Sequence, residues 1–136
     1  MALKGARAHV RRLRALASPA MADVVDQVLF HSGELIQVEA QLSITRGAVS
    51  GKNHVAAPHN APPNADTHVL DRNIETTRHG RHRVRVTSNA PYSGRHEFGP
   101  EGRAFMRPAR DKMKPVIRKN LAKAVEKQVR ASRRSD

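Results

Sequence analysis

The sequence is organised around residues 89–110, NAPYSGRHEFGPEGRAFMRPAR. This segment, termed the elbow below, contains Tyr92, Phe98 and Phe105, three of the four aromatic residues of the chain. Prolines and glycines are interspersed among them, and both residue types favour turns. Because large side chains are scarce elsewhere, we expect the elbow to be a centre of packing or of docking to a partner. The pattern predicts a strand that ends before the elbow, a looped turn, and a helix that begins near Pro108.

Two segments before the elbow show helical periodicity. Residues 1–17 combine apolar residues at spacings of three and four with four arginines, which is typical of a short basic amphipathic helix. Ser18 and Pro19 are suited to the cap and the first position of a second helix. Apolar residues then repeat at helical spacing to about residue 45, with one interruption at Gly33. We expect this helix, at about 19–45, to be the spine of the fold.

A long irregular segment and two short strands follow. Residues 46–66 are rich in proline, glycine and histidine and have no period, which predicts a long loop. Such a loop is either disordered or an arm that becomes ordered on assembly. Residues 69–77 are expected to contain a strand, and residues 84–87 show the alternation of a half-buried strand. The His79-Gly80 pair predicts a tight turn between them.

The last segment predicts a long helix. From Ala109 onward an apolar stripe lies opposite lysines, while Pro115 either introduces a kink or marks the start of the helix. Residues 132–136 are expected to fray. At 136 residues the chain is one domain. The sequence therefore predicts an α+β fold with N-terminal helices and a long C-terminal helix packed on a small antiparallel β-sheet.

Composition limits the classes of function. The net charge is +13, and the basic residues concentrate at the two ends, 1–18 and 103–136, while the middle is close to neutral. Basic ends suit a nucleic acid or an acidic protein surface, although solvated helix faces explain them equally well. Only 38% of residues are hydrophobic, so we expect a thin core that gains from burial between subunits. No apolar run reaches the length of a membrane helix or of a signal peptide, and the absence of cysteine excludes disulfides and thiolate metal sites.

Motifs of cofactor and metal chemistry are weak. The run from Gly47 to Lys52, GAVSGK, resembles a phosphate-binding loop, but it has three residues between the glycines and Asn53 after the lysine. Of the eight histidines, His79 and His82 are three residues apart across a turn, without a nearby group of carboxylates. We therefore expect surface histidines, with no metal and no cofactor.

Glu97 is the strongest candidate for acid–base chemistry. It lies between a histidine and a phenylalanine, and an acid beside an aromatic ring is a candidate general acid. It has no partner carboxylate at a defined spacing and no recognisable catalytic triad around it. The favoured interpretation is an ion pair with Arg95, Arg103 or Arg107.

Three runs in the elbow resemble a family signature. They are 89–92, Asn-Ala-Pro-Tyr, then 96–99, His-Glu-Phe-Gly, then 104–109, Ala-Phe-Met-Arg-Pro-Ala. In this order they resemble the tail-completion, or head–tail joining, proteins of long-tailed bacteriophages. Upstream, residues 62–67 and 70–74 resemble the Pro-Pro, Asp-Thr-Gly and Ser-Ile elements of that family.

The chain departs from the family pattern at three positions. Ser93 stands where alanine is usual, Pro100 where threonine is common, and His68 where glycine follows the threonine. The third departure affects a turn, because histidine lacks the conformational freedom of glycine.

The resemblance implies a structural virion protein without enzymatic activity. Such proteins form a ring, typically of about six subunits, at the head-proximal end of the tail. The implied partners are further copies of the chain, head-connector proteins and tail-tube or terminator proteins, with non-specific contact to packaged DNA and none to a membrane. The implied location is the neck of the virion, and the host cytoplasm during assembly. The residues predicted to contact subunits or partners are Tyr92, Glu97, Phe98, Gly99, Phe105, Met106 and Arg107.

Two other classes of function stay open. A basic nucleic-acid-binding module would use the charged ends of the chain. A small hydrolase would act through Glu97 and a histidine.

Overall fold

The computed structural model describes residues 4–134, and the protein has an α+β fold in which the helix at Pro19–Thr45 packs on a two-stranded antiparallel sheet. Residues 1–3 of the predicted first helix, and residues 135 and 136 of the predicted tail, lie outside the described residues. In chain order the elements are α1 (Ala6–Leu16), α2 (Pro19–Thr45), a short 3-10 turn (Gly51–Asn53), α3 (Val69–Arg72), β1 (Ile74–Arg78), β2 (Val84–Ser88), α4 (Ser93–Phe98) and α5 (Met106–Arg134).

Helix α2 is the spine of the fold, and both of its predicted ends are confirmed. The Ser18 side chain accepts a hydrogen bond from the Met21 N–H at 3.1 Å, which satisfies one of the free donors of the first turn. Gly33 does not interrupt the helix. A Cβ at Gly33 would lie 2.6 Å from Cγ2 of Thr76 and 2.8 Å from Cγ1 of Val84, so the missing side chain lets the β-hairpin approach α2 closely.

The hairpin pairs β1 with β2, with Thr76 opposite Val86 at its centre. Its turn is closed by a hydrogen bond from the His79 N–H to the Arg83 carbonyl at 2.9 Å. On α2, the Asp26 carboxylate accepts a hydrogen bond from the His82 N–H at 2.8 Å, which fixes the turn to the spine. This hydrogen bond is the main reason that the pKa of Asp26 lies below its usual value.

The prediction of a strand from residue 69 was wrong for its first half. Val69–Arg72 forms the helical turn α3, and β1 starts at Ile74. Local polar groups stabilise this turn, because the Asn73 amide donates to the Val69 carbonyl at 2.6 Å and the His68 imidazole lies 3.2 Å from the Asp71 carboxylate.

The core lies between α2, the hairpin and the start of α5. Its fully buried large side chains are Ile44 of α2 and Phe105, which precedes α5. Small residues such as Ala40 and Ala109 fill the rest of this cluster, so few bulky groups contribute to it. The core is therefore thin, as its composition predicts.

Helix α1 packs mainly against the end of α5. The sequence predicts that both N-terminal helices pack on the sheet, but within residues 4–134 only α2 does so. Of its residues only Ala15 is buried, while Leu13 is 52% exposed and Val10 and Leu16 are also exposed. The apolar stripe that predicts this helix thus faces solvent in the single chain.

The long loop of residues 46–66 packs on the body of the protein. Its Ala65 N–H donates to the Ile44 carbonyl at 2.9 Å, and Arg103 of the elbow donates to the Ala57 carbonyl at 3.0 Å. Ala57 and Ala65 are buried. The long loop thus makes contacts to α2 and to the elbow within a single chain.

The terminal helix starts earlier and ends later than the sequence predicts. Helix α5 begins at Met106, continues through Pro115 and includes Ser132, where fraying was expected. It packs along α2. None of the helices within residues 4–134 is both long and apolar enough to span a bilayer.

A candidate partner-binding groove beside strand β2

A groove of about 630 Å³ runs along one side of the hairpin. All five residues of β2 line it, and no residue of β1 does, so it follows the edge of β2 that faces away from β1. Its other walls are α4 and the first turns of α5. Ile36 of α2 and Phe105 line its apolar base.

The edge of β2 presents unpaired backbone groups to this groove. Hydrogen-bonded and non-hydrogen-bonded residue pairs alternate along an antiparallel ladder, and the pair His79–Arg83 is hydrogen-bonded. The pairs that contain Val84 and Val86 are therefore non-hydrogen-bonded, and their N–H and C=O groups turn away from β1. Within residues 4–134 no other element hydrogen-bonds these outward groups.

Glu97 joins two walls of the groove. Its Oε2 accepts hydrogen bonds from the N–H groups of Phe105 and Met106 at 2.9 and 3.0 Å, and its Oε1 accepts one from the Arg107 N–H at 2.8 Å. These amides form the N-terminus of α5, where N–H groups lack helical partners and the helix dipole favours a negative charge.

The predicted ion pair of Glu97 with an arginine is wrong, since none forms among the described residues. The nearby pairs instead use Glu101, which lies 3.6 Å from Arg103 and 3.9 Å from Arg95. The three backbone bonds of Glu97 give it a positioning role in the fold. They also connect the His-Glu-Phe-Gly run to the Ala-Phe-Met-Arg run in this chain.

The remaining predicted contact residues divide between the surface and the core. Phe98 is 78% exposed on α4, at the rim of the groove, and Met106 and Arg107 line the opposite wall. Phe105 is 0% exposed, so its side chain is a core residue and is not available to a partner. The prediction that Phe105 forms a partner contact is therefore corrected.

Two predicted residues lie outside the groove. Tyr92 packs edge-on against His96, with ring centroids 5.6 Å apart, and both line a second cavity of about 250 Å³ beside the long loop. Gly99 ends α4, and a Cβ there would collide with the Arg95 carbonyl. Its backbone is extended, which ends the helix, and the missing side chain lets its N–H donate to that carbonyl at 2.8 Å.

The surroundings of His96 shift the pKa of its imidazole. Burial, and next the positive charge of Arg103, lower the pKa of the imidazole below its usual value. Its Nδ1 is buried without a hydrogen-bond partner among the described residues.

Of the three arginines at the groove, the sequence singled out Arg107 but not Arg85 or Arg110. Arg85 lies on β2, and Arg107 and Arg110 lie on the first turns of α5, and all three are exposed. Arg110 also pairs with Asp111 at 3.0 Å. The alternation along β2 shows that Arg85 faces solvent, but only the position of α5 shows that the three charges surround one groove.

A second basic surface lies at the other end of the molecule. A cavity of about 540 Å³ between α1 and the end of α5 is lined by the arginine cluster, Arg11, Arg12, Arg14 and Arg133. No carboxylate of the described residues pairs with Arg12 or Arg14, so this surface attracts anions.

Within residues 4–134 no three histidine, aspartate or glutamate side chains are placed to hold a metal ion. Comparisons with protein-family models, with curated proteins and with solved structures found no match to this chain.

Proposed function

We propose that this protein is a structural component of the neck of a long-tailed phage or phage-like particle. In this role copies of the chain form a ring, of about six subunits, at the head-proximal end of the tail and join it to the head connector. The protein works by binding, without a chemical step. Its partners are the head-connector proteins and the tail-tube or terminator proteins, and it reaches the virion from the host cytoplasm.

The observation that carries this proposal is the exposure of Phe98. The chain has four aromatic residues, yet it leaves this ring 78% exposed on a helix that is tied to α5 through Glu97. An aromatic side chain held on a rigid element beside an apolar groove is typical of an interface hot spot. The family signature therefore coincides with the surface that is best suited to a partner.

Helix α1 gives independent support for assembly. Its apolar stripe, with Leu13 at 52%, is exposed in the single chain. Burial of such a stripe between subunits would add to the stability of a protein with a thin core.

The test is Phe98→Ser in particles that depend on this protein. Because the side chain contributes little to the core, we expect normal expression and an unchanged melting temperature, together with tailless heads and free tails in electron micrographs. The matched control is Val55→Ser, which removes an apolar side chain that is 70% exposed on the long loop, away from the groove. Infectious, fully tailed particles at normal yield from the Phe98→Ser variant would end the proposal.

The arginine cluster favours a second candidate function, non-specific binding to nucleic acid. Exposed arginines that converge from α1 and α5 suit the phosphates of duplex DNA. This function predicts binding that weakens steeply with salt, with a log–log slope that falls by about one for each phosphate contact removed. Arg12→Glu combined with Arg14→Glu should abolish binding in a fluorescence-anisotropy titration, whereas absence of wild-type binding at low salt would exclude this function.

A further inference from the structure

We infer that the groove receives an extended, acidic segment of another protein, which adds to the free edge of β2 as a third strand. The mode of binding follows from the β2 edge. The class of partner, an adjoining virion protein, rests on the proposed function.

The backbone geometry selects an extended ligand. The outward N–H and C=O groups of Val84 and Val86 are spaced for pairing with a further strand, and the groove follows all five residues of β2. At about 3.4 Å per residue, five residues offer roughly 17 Å of edge. A helix in the groove would leave these backbone groups unpaired.

The two faces of the hairpin select the side chains of that ligand. Val84 and Val86 point toward α2, where Ile36 and Met106 line the groove, so one face of an added strand meets apolar groups. Arg85 points to the opposite face, because side chains alternate along a strand. The ligand that fits therefore alternates apolar and acidic residues.

The charges around the groove favour an acidic partner over a second copy. Arg85, Arg107 and Arg110 line it, while the carboxylate oxygens of Glu97 are occupied by the N-terminus of α5. The chain itself carries a net charge of +13, and its described strands contain one acidic residue, Glu75. Positive charge on an edge strand opposes pairing with another copy and leaves the edge open to an acidic segment.

The test uses synthetic peptides of about six residues, the length of an average strand. The first alternates glutamate with valine, the second alternates lysine with valine, and the third is the glutamate–valine peptide with N-methyl groups on its backbone. We expect the first peptide to bind about tenfold more tightly than the second in calorimetric titrations, and the third not to bind. Hydrogen exchange should slow at the amides of Val84 and Val86 when the first peptide is present.

Arg85→Glu provides the sharpest variant, since the residue is exposed and its loss should not affect folding. This substitution should weaken binding of the glutamate–valine peptide about fivefold and strengthen binding of the lysine–valine peptide. Arg118→Glu is the control, because it makes the same change in charge at an exposed position on α5 outside the groove. Equal binding of both charged peptides, or binding that leaves Val84 and Val86 unprotected, would overturn the inference, as would a concentration-dependent self-association that protects these amides.

The inference and the proposed function fail separately. Peptide binding at the β2 edge is measured on the purified protein and does not depend on phage particles. If Phe98→Ser particles are fully tailed while the peptide binds as described, the neck function is lost and strand addition stands. If particles lack tails but no peptide protects β2, strand addition is lost and the neck function stands.

Discussion

Removing the Glu97 carboxylate should destabilise the whole fold, although the residue lies on a helix of six residues. Its oxygens accept three hydrogen bonds from the N-terminus of α5, and the donor groups of Phe105 and Met106 are partly buried. Glu97→Ala leaves these donors without an acceptor and removes a favourable charge from the helix dipole.

The size of the effect follows from the hydrogen bonds. A hydrogen bond to a charged group contributes about 1.5–3 kcal/mol when buried, and a helix cap about 1 kcal/mol. Because water can reach part of this site, we expect a loss of about 2–3 kcal/mol in the free energy of unfolding for the three bonds together. For a chain of this length that loss lowers Tm by roughly 6–12 °C.

The assay is urea denaturation followed by circular dichroism, with Glu101→Gln as the control. Glu101 is partly exposed and its ion pairs, at 3.6 and 3.9 Å, are long, so its replacement should cost less than about 1 kcal/mol. The free energy of unfolding of Glu97→Gln should lie between those of Glu97→Ala and wild type, because the amide oxygen still accepts a hydrogen bond but carries no charge. A Glu97→Ala protein as stable as wild type would show that the carboxylate does not hold α5 in place.

Three further predictions concern packing and titration. Phe105→Ala should lower the free energy of unfolding by about 3–5 kcal/mol, whereas Phe98→Ala should change it by less than about 0.5 kcal/mol. Denaturant titration measures both values, and equal losses would refute the division between core and surface. Gly33→Ala should destabilise the protein by about 1–3 kcal/mol despite the better helix propensity of alanine, because its Cβ meets Thr76. Gly94→Ala, with open space around it, should stabilise the protein by up to about 1 kcal/mol. Thermal melts of the two variants check both values. Because the pKa of His96 is lowered in the folded state, the unfolded chain binds more protons, so the stability of the fold should fall as the pH drops below 6.5. His96→Gln should flatten this pH dependence of stability. An unchanged pH profile in the variant would exclude His96 as its source.

The sequence by itself determined the elements whose signals are local. Ser18 and Pro19 define the start of α2 because a cap and a first-turn proline act within a few residues. The alternation around Val84 and Val86 defines β2 for the same reason, since one face of the strand is apolar. The α+β class follows from these segments together.

The tertiary structure decided which side chains are available to partners. Phe98 and Phe105 lie in the same aromatic segment, yet one is exposed and the other is fully buried, because α5 packs against α2 and carries only Phe105 into the core. Glu97 likewise has arginines nearby in sequence but bonds to amides eight to ten residues away. Local patterns fix helices and strands, whereas the groove exists because α4, α5 and β2 meet through contacts between residues distant in the chain.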